Sequence, residues 1–600
     1  MRVAVCVKHV PVLSALRFDR ESRRLVREGV PGEASSFDLR ALGAATALRA
    51  EHGGEVVAIT MGPPAARDSL AECLALGADR GLHVVDALLA GSDTLATARV
   101  LAAALGHEGV EVALLGRAST DAETGQVGPE VAELLGWPQV TNARRLTVDP
   151  AARTFMAERE TDEGFETVTG PLPVLVTAAE DIAEERFPTK AERQAAVTKP
   201  IATIDAAGLG LAARDVGSEG SPTWVAGIEE VALTRRGEML AGDSAEALAA
   251  TLAERLRVLR PLAAGAIHPP LPVRTPGDGD AVWVVAEMGP GGPRPVTAEL
   301  LAKASELAVR LGGPVEAVVI GPGRAHAGAL AAAGADRVLV ADGPALEPYT
   351  TDAHAAVLAD AIRVRGPRLV LLASTVRGRD LAPRVAARLG LGLTGDAIDL
   401  DLDAEGRVRQ HKPAFGGTIV APILSHTRPE MATVRPGVLP PARPDTTRGV
   451  IVDDLAVPAV PARVRVLDAR PLAEAGSELL DSAPLVIGVG RGIGGPAALP
   501  SILALAARLG AGVAATREVT DAGWLPKQHQ VGLTGRSIAP RLYLALAVGG
   551  AMEHTVGLRR AGLVVAVNKN PKAAIFKSAD LGLVADYATL LPHLEAALRA

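Results

Sequence analysis

Six hundred residues exceed what one hydrophobic core organises, and at roughly 150 residues per domain they predict three or four domains. Hydrophobic residues make up 48%, enough to give each domain a core, and a net charge of −7 with both signs abundant argues against a generic binder of nucleic acid or acidic membrane. Two cysteines, Cys6 and Cys73, supply no disulfide framework and no cysteine-based zinc or iron–sulfur site, and aromatic residues at 2% are too few for ring stacking by the protein to be a general device.

In chain order, MRVAVCVKHVP from Met1 reads as a short strand stopped by Lys8 and His9, too short for a signal peptide. No charge-poor apolar run reaches the ~18 to 20 residues of a membrane span, so the expected compartment is the cytoplasm. Two segments then recur. Met61–Val84, ending GADRGLHV, is echoed by Ile320–Val340, ending GADRVLV; LLGRASTDAETGQVGPEVAELLG from Leu114 is echoed by LLASTVRGRDLAPRVAARLG from Leu371. Asp79 and Asp336 stand 257 residues apart, Pro129 and Pro383 254, so the echoes predict two related α/β domains and exclude a short-period solenoid.

Ser244–Leu259 has apolar residues at helical spacing, and Pro261–Asp280, rich in Pro, Gly and Asp, reads as an extended linker. A second proline-rich segment, Pro436 to about Pro471, precedes the last domain. There the apolar run Pro484–Val489 predicts a parallel strand, GVGRGIGG from Gly488 to Gly495 a glycine turn, and Pro500–Leu509 a helix. Strand, glycine turn and helix form a phosphate site when backbone N–H groups approach the ligand, and Arg491 adds a cationic fork. The same layout is also an ordinary tight connection.

The apolar segments that follow are interrupted by polar sequence: Thr516–Gly535, Ala547–His554, Ala566–Pro571 and the stretch ending at Asp586. Open α/β sheets bind ligands at such strand ends. Together these stretches resemble the C-terminal, FAD-binding domain of the electron transfer flavoprotein α subunit, from about residue 484 to the end. The resemblance implies that Arg491, Gly492 and Thr516 hold the pyrophosphate and that Arg517 lies against the isoalloxazine. Val531, Gly532, Leu533 and Thr534 match the loop at flavin N5. Gly549, Gly550, Ala551, Met552, Glu553 and His554 match the loop at the pyrimidine edge, with His554 near flavin O2, and Asn568 and Asp586 match the adenosine end. Leu533 and Glu553 stand where glutamine is usual, which bears on potential rather than binding. Read without the family, His554 is a capping or core histidine, Arg517 a surface charge and Asp586 a turn residue.

Residues 1 to about 260 likewise resemble the β subunit, and those from about 280 onward the α subunit, so the chain resembles a β–α fusion. The implied fold is α/β: two related doubly wound nucleotide-binding-type domains, 1–260 and 281–470, joined by a linker, 261–280, and followed by a parallel-sheet FAD-binding domain, 471–600. The β part of this family holds a second nucleotide, AMP in simple carriers and FAD in bifurcating members. Asp121–Ala132, DAETGQVGPEVA, matches the deciding loop, with Asp121, Thr124, Gly125, Gln126, Val127, Gly128, Pro129 and Glu130 as candidates and Cys6 and Met61 as neighbouring backbone. Gly128 removes a side chain at a helix N-terminus, which favours room for a diphosphate and therefore FAD. A proline-started helix that still holds AMP fits the same letters. Ala90–Ala98 also resembles the bifurcating group, although Ser92 or Asp93 reads equally as an N-cap.

The resemblance implies an electron carrier reduced by a partner dehydrogenase and reoxidised by a second redox protein such as a quinone oxidoreductase, with Arg517, Thr534 and His554 stabilising reduced flavin. Two alternatives are an NADH-oxidising bifurcating flavoprotein with two FADs and a redox-inactive nucleotide-binding module. Where the β subunit carries a leucine that anchors acyl-CoA dehydrogenases, this chain reads RFPTKAERQAA from Arg186 with Lys190 at the anchor, and an ammonium group cannot replace buried apolar area.

Overall fold

In the computed structural model, unbroken apolar runs become parallel strands covered on both faces. The structure describes residues 1–12, 17–19, 24–26, 30–230, 235–262, 269–289, 291–415, 417, 419–460, 462–471, 480, 483–532, 535–536 and 538–598. They fall into two compact units, one of Met1–Glu229, Pro269–Phe415 and Val420–Leu472, the other of Glu230–His268, Gly416–Ile419 and Ala473–Ala600.

The first unit contains the duplication. Its ten-stranded sheet runs Ile201–Ile204, Arg80–Val84, Glu55–Met61, Arg2–Cys6, Val112–Gly116, Val174–Ala178, Gln139–Asp149, Thr154–Glu160, Gly164–Pro171, Arg465–Pro471. Its seven-stranded sheet runs Val452–Asp454, Arg337–Ala341, Val315–Ile320, Val282–Val285, Leu369–Ala373, Glu430–Val434, Leu393–Ala397. From the edge inward the two sheets share one strand order. Alternation along the central strands sends Val3 and Val5 to one core and Ala4 and Cys6 to another, so helices cover both faces. The echoed aspartates do the same work in both halves: Asp79 accepts the Val56 amide (2.8 Å) and pairs with Arg49, and Asp336 accepts the Val315 amide (2.8 Å) and pairs with Arg274 and Arg448.

The halves differ after the fourth strand in chain order. In the second half the helix Val376–Leu389 begins two residues beyond strand Leu369–Ala373, whereas in the first a loop from Arg117 to Gln126 separates strand Val112–Gly116 from the shorter helix Val127–Leu135. The helix is thus five residues shorter, somewhat more than one turn, and loop takes its place. The Val376 and Arg377 amides of the long helix each donate to the Asp162 carboxylate at 2.9 Å, and Glu287, held by Thr375 (2.8 Å), lies beside it. Burial and then the Asp162 charge push the Glu287 carboxyl up to about 7. A raised carboxyl favours the folded state below its ordinary pKa of about 4.3, and that contribution is lost as pH rises through about 7. Asp162→Asn is therefore expected to flatten the decline in unfolding free energy between pH 5 and 8, read by urea titration at each pH. An unchanged slope would show that Asp162 does not set this titration.

The second unit is one parallel sheet in the order Glu238–Leu240, Leu581–Val584, Leu563–Asn568, Leu542–Leu546, Leu485–Val489, Gly512–Ala515. The expected helix at 244–259 is present as Ala245–Leu259, with the Ser244 hydroxyl accepting the Ala247 amide. Its buried stripe, Leu248, Leu252 and Leu256, joins the core containing Leu590 and Leu594 of the last helix, Tyr587–Leu598. Arg235 donates to Asp580 and to the Ala561 carbonyl, each at 2.9 Å. The compact units therefore divide the chain at about 229, not at the composition change near 260, because this apolar stripe is buried against the C-terminal sheet's helices. The expected linker is partly pinned: Arg443 N–H donates to the Pro269 carbonyl, and Arg274 pairs with Asp336. The proline-rich segment 436–471 supplies edge strands to both large sheets.

Candidate functional site

Numbered by chain position within residues 485–584, the five strands of the second unit's sheet lie in the order 2-1-3-4-5, which puts a topological switch point between Leu485–Val489 and Leu542–Leu546. The described C-terminal candidates sit at or beyond the carboxyl ends of these strands. Arg491 and Gly492 follow the first strand, Thr516 and Arg517 the second, Gly549–His554 the third; Asn568 ends the fourth and Asp586 follows the fifth. Leu533 and Thr534 lie outside the described residues.

The glycines at this end serve different purposes. A Cβ on Gly490 would overlap the Ala547 carbonyl, and one on Gly492 would lie 2.8 Å from it, so both permit two strand-end loops to touch. Gly494, at φ 92°, and Gly549 face open space. Thr516 is the N-cap of the short helix Arg517–Asp521, yet its hydroxyl makes no cap bond; Oγ1 is buried with no hydrogen-bond partner among the described residues. A buried hydroxyl without a partner is costly unless something fills the place, and a phosphate oxygen at the strand end would do so. The site fits a flavin dinucleotide on this observation.

Other candidates have roles within the fold. Asn568 Nδ2 donates to the Val548 carbonyl at 2.9 Å and pins the glycine loop; Asp586 accepts the Ala588 amide at 2.9 Å and caps the last helix. Arg517 is half-buried and pairs with Asp521, which also holds Lys527. His554 departs from expectation. Its Nδ1 meets the Val531 carbonyl at 2.8 Å, so that nitrogen carries the proton, and its Nε2 accepts from the Tyr543 hydroxyl at 2.9 Å. Burial lowers its pKa to about 4, against the pull of the Val531 carbonyl. Both ring nitrogens are engaged inside the unit, so the histidine is a neutral brace for Val531 rather than a free donor to a flavin oxygen. The glycine run hides the other end of this link: Gly488 leaves the space that the Tyr543 hydroxyl fills.

The first unit has a cavity of about 440 Å³ at the loop that replaces helix. Cys6, Met61, Thr124, Gly125, Gln126, Val127 and Gly128 line it. Asp121 lies behind, paired with the lining Lys8 at 2.8 Å; Glu130 receives a hydrogen bond from the lining Thr94 at 3.0 Å; Pro129 is the helix's third residue. Asp93 caps the helix Thr94–Glu108 through the Ala96 amide. One expectation is corrected. A Cβ on Gly128 would lie 2.5 Å from Thr177 Cγ2, so the missing side chain makes room for a neighbouring strand and not for a diphosphate.

The sequence reading passed over Lys8 as a strand stop and missed Asp38, whose carboxylate binds the Lys8 amide at 2.8 Å and the Gly116 amide at 2.7 Å and is pushed up to about 7, chiefly by burial. It also missed Thr394, Gly395 and Lys412, which reach the cavity from the second half. In the segment matched to the partner anchor, Thr189 caps helix Lys190–Ala196, Lys190 is exposed and the neighbouring Phe187 is 72% exposed.

Duplicated doubly wound domains with a cavity, followed by a parallel sheet whose polar residues gather at a switch point, define a nucleotide-binding α/β protein. Residues 23–209 and again 282–460 match the electron transfer flavoprotein domain, and 479–559 match the electron transfer flavoprotein FAD-binding domain. The chain belongs to the electron transfer flavoprotein family. It is 41% identical over 317 residues to the electron transfer flavoprotein subunit alpha of Thermoanaerobacterium thermosaccharolyticum, covering 52% of this chain and 96% of that one. It is 38% identical over 327 residues to Protein FixB of Bradyrhizobium diazoefficiens, covering 53% and 88%. To the lactate dehydrogenase (NAD(+),ferredoxin) subunit LctC of Acetobacterium woodii it is 38% identical over 304 residues, covering 50% and 72%. Among the described residues no helix is long and apolar enough to cross a membrane.

Proposed function

We propose that this chain is a fused electron carrier of the cytoplasm, with the β-type part N-terminal to the α-type part. FAD bound in the C-terminal crevice would supply the redox chemistry, with the electrons coming from a partner dehydrogenase and passing to a second redox protein such as a quinone oxidoreductase. The residues of the chain bind, orient and shield the flavin. The observation that carries this reading is the unpartnered Thr516 hydroxyl at the strand ends where Gly490 and Gly492 bring two loops together. Arg491 and Thr516 hold the pyrophosphate there, Arg517 faces the ring system, and His554 fixes the Val531 carbonyl beside it.

A second nucleotide occupies the first unit's cavity. Asp121–Ala132 and the kinship with a relative named for NAD(+) and ferredoxin support FAD there, and with it the NADH-oxidising, bifurcating reading; Gly128 no longer contributes to that choice. The expected result of acid extraction and chromatography on natively purified protein is two FAD per chain. One FAD and one AMP would remove the two-flavin reading and leave the simple carrier, and no flavin at all would overturn both.

A further inference from the structure

The two halves meet one electrostatic demand in different ways. The long helix Val376–Leu389 has its first amides covered by the Asp162 carboxylate, each bond at 2.9 Å. The shortened helix Val127–Leu135 starts at the cavity, and no side chain caps it: Gln126, at its N-cap, sends its amide nitrogen to the Leu393 carbonyl at 2.9 Å. A helix start carries unpaired N–H groups and a partial positive charge, so an anion is favoured at both places. In one half that anion is part of the chain.

Around the second place the other half of the chain contributes polar groups turned toward the cavity. Thr394 is 3% exposed and lines the cavity, and its Oγ1 has no hydrogen-bond partner among the described residues. Lys412, 8% exposed, also lines it, and Nζ donates to the Gly395 carbonyl at 2.9 Å. An ammonium has three donors, and that bond uses one. Gly395 fixes the location: a Cβ built on it would lie 3.0 Å from Gln126 Oε1 and 3.1 Å from the Thr124 carbonyl, so Lys412 is anchored where the helix begins.

The neighbouring charges leave this lysine for a ligand. Asp396 is committed to Arg379 and Arg435, and Glu123 completes the cluster. Three cations therefore face two carboxyl groups. Burial lowers the Lys412 pKa to about 8, with Asp396 and Glu123 opposing the fall and Arg379 and Arg435 adding to it. The fall is thus chiefly a burial effect, which the two carboxyl groups offset only in part.

We propose that Lys412 and Thr394 bind the phosphate of the nucleotide held at the Val127 helix start, so that the α-type half completes a site in the β-type half. This rests on the nucleotide reading above and holds whether the occupant is AMP or the adenylate part of FAD. An ammonium and a hydroxyl suit a phosphate oxygen as charge-assisted donors. The nucleotide would then be released when the two halves part, since the contacts from Lys412 and Thr394 would leave with the second half.

The test is calorimetric titration of nucleotide-depleted full-length protein with AMP and, separately, with adenosine, which lacks the phosphate. Lys412→Met is expected to weaken AMP at least 10-fold while leaving adenosine within about 2-fold, Thr394→Val to act in the same direction with smaller size, and Lys412→Arg to recover most of the loss. Unfolding of the ligand-free variants serves as control, because removing a buried charge from a cluster can itself cost stability. Equal losses for AMP and adenosine, or no loss for AMP, would overturn the clamp while leaving the nucleotide reading. Wild-type protein that binds neither would overturn that reading and the clamp with it.

Discussion

Gly488→Ala is expected to destabilise the C-terminal unit by about 2–6 kcal/mol and to strip its flavin, although Gly488 lies on a strand and reaches no candidate ligand residue directly. The strand pairs on both sides, with Gly488 opposite Ala514 and Ala545, so it cannot move aside. A new Cβ would overlap the hydroxyl end of Tyr543, which is fully buried. Overpacking of this kind costs about 1–3 kcal/mol. Displacing the phenol also breaks its 2.9 Å bond to His554 and leaves Nε2 buried and unpaired, a further 1–3 kcal/mol or so. The damage reaches the site because the same imidazole holds the Val531 carbonyl. Urea unfolding and flavin content after purification read the two effects. Tyr543→Leu in the Gly488→Ala background removes the atoms the methyl meets and should recover part of the stability. A single variant with wild-type midpoint and full flavin would show that the close packing is not there.

Much of this fold is legible in the sequence for a physical reason: strands covered on both faces need unbroken apolar runs, so Leu485–Val489 and Leu563–Asn568 stand out as elements. The polar stretches that interrupt such runs must lie at strand ends, and that located the crevice. The duplication was legible because Asp79 and Asp336 perform one local task. What was not legible depends on contacts remote in sequence. Gly488 and Gly128 looked like ligand glycines, and both are instead fitted to a side chain from another strand, Tyr543 and Thr177. The Lys412 side chain reaches a cavity whose loop lies nearly 300 residues earlier in the chain, and nothing around HKPAF announces it. The helix Ala245–Leu259 was visible from its spacing, but periodicity does not say which sheet's helices receive the stripe.

Asp380→Ala is expected to be the most damaging change in the first unit, at about 3–5 kcal/mol, because it removes one carboxylate on which donors from both halves converge. From the first half Gln139 Nε2 donates to Oδ1 at 2.8 Å and Thr141 Oγ1 at 2.7 Å; from the second, Tyr349 Oη donates to Oδ2 at 2.7 Å, as does the Thr351 hydroxyl. Buried Arg159 pairs with it at 4.0 Å. Burial alone would raise this carboxyl, but Arg159 and the hydroxyls of Thr351, Thr141 and Tyr349 together hold it below the usual range. A depressed carboxyl stabilises the fold above its unfolded value of about 3.9, and the contribution is lost as pH falls through the lower folded value. The variant should therefore lose stability at neutral pH and show a shallower acid limb than wild type. Part of the cost comes from Arg159, which would keep Glu166, at 2.8 Å, but lose the second of its two carboxylates, and part from the Gln139, Thr141 and Tyr349 donors left without their acceptor. Arg159→Met added to Asp380→Ala should then recover about 1–3 kcal/mol, whereas the two changes would simply add if the residues were independent. Additive losses in denaturant titrations, with an unchanged acid limb, would show that Asp380 is a spectator between the halves and not the charge that joins them.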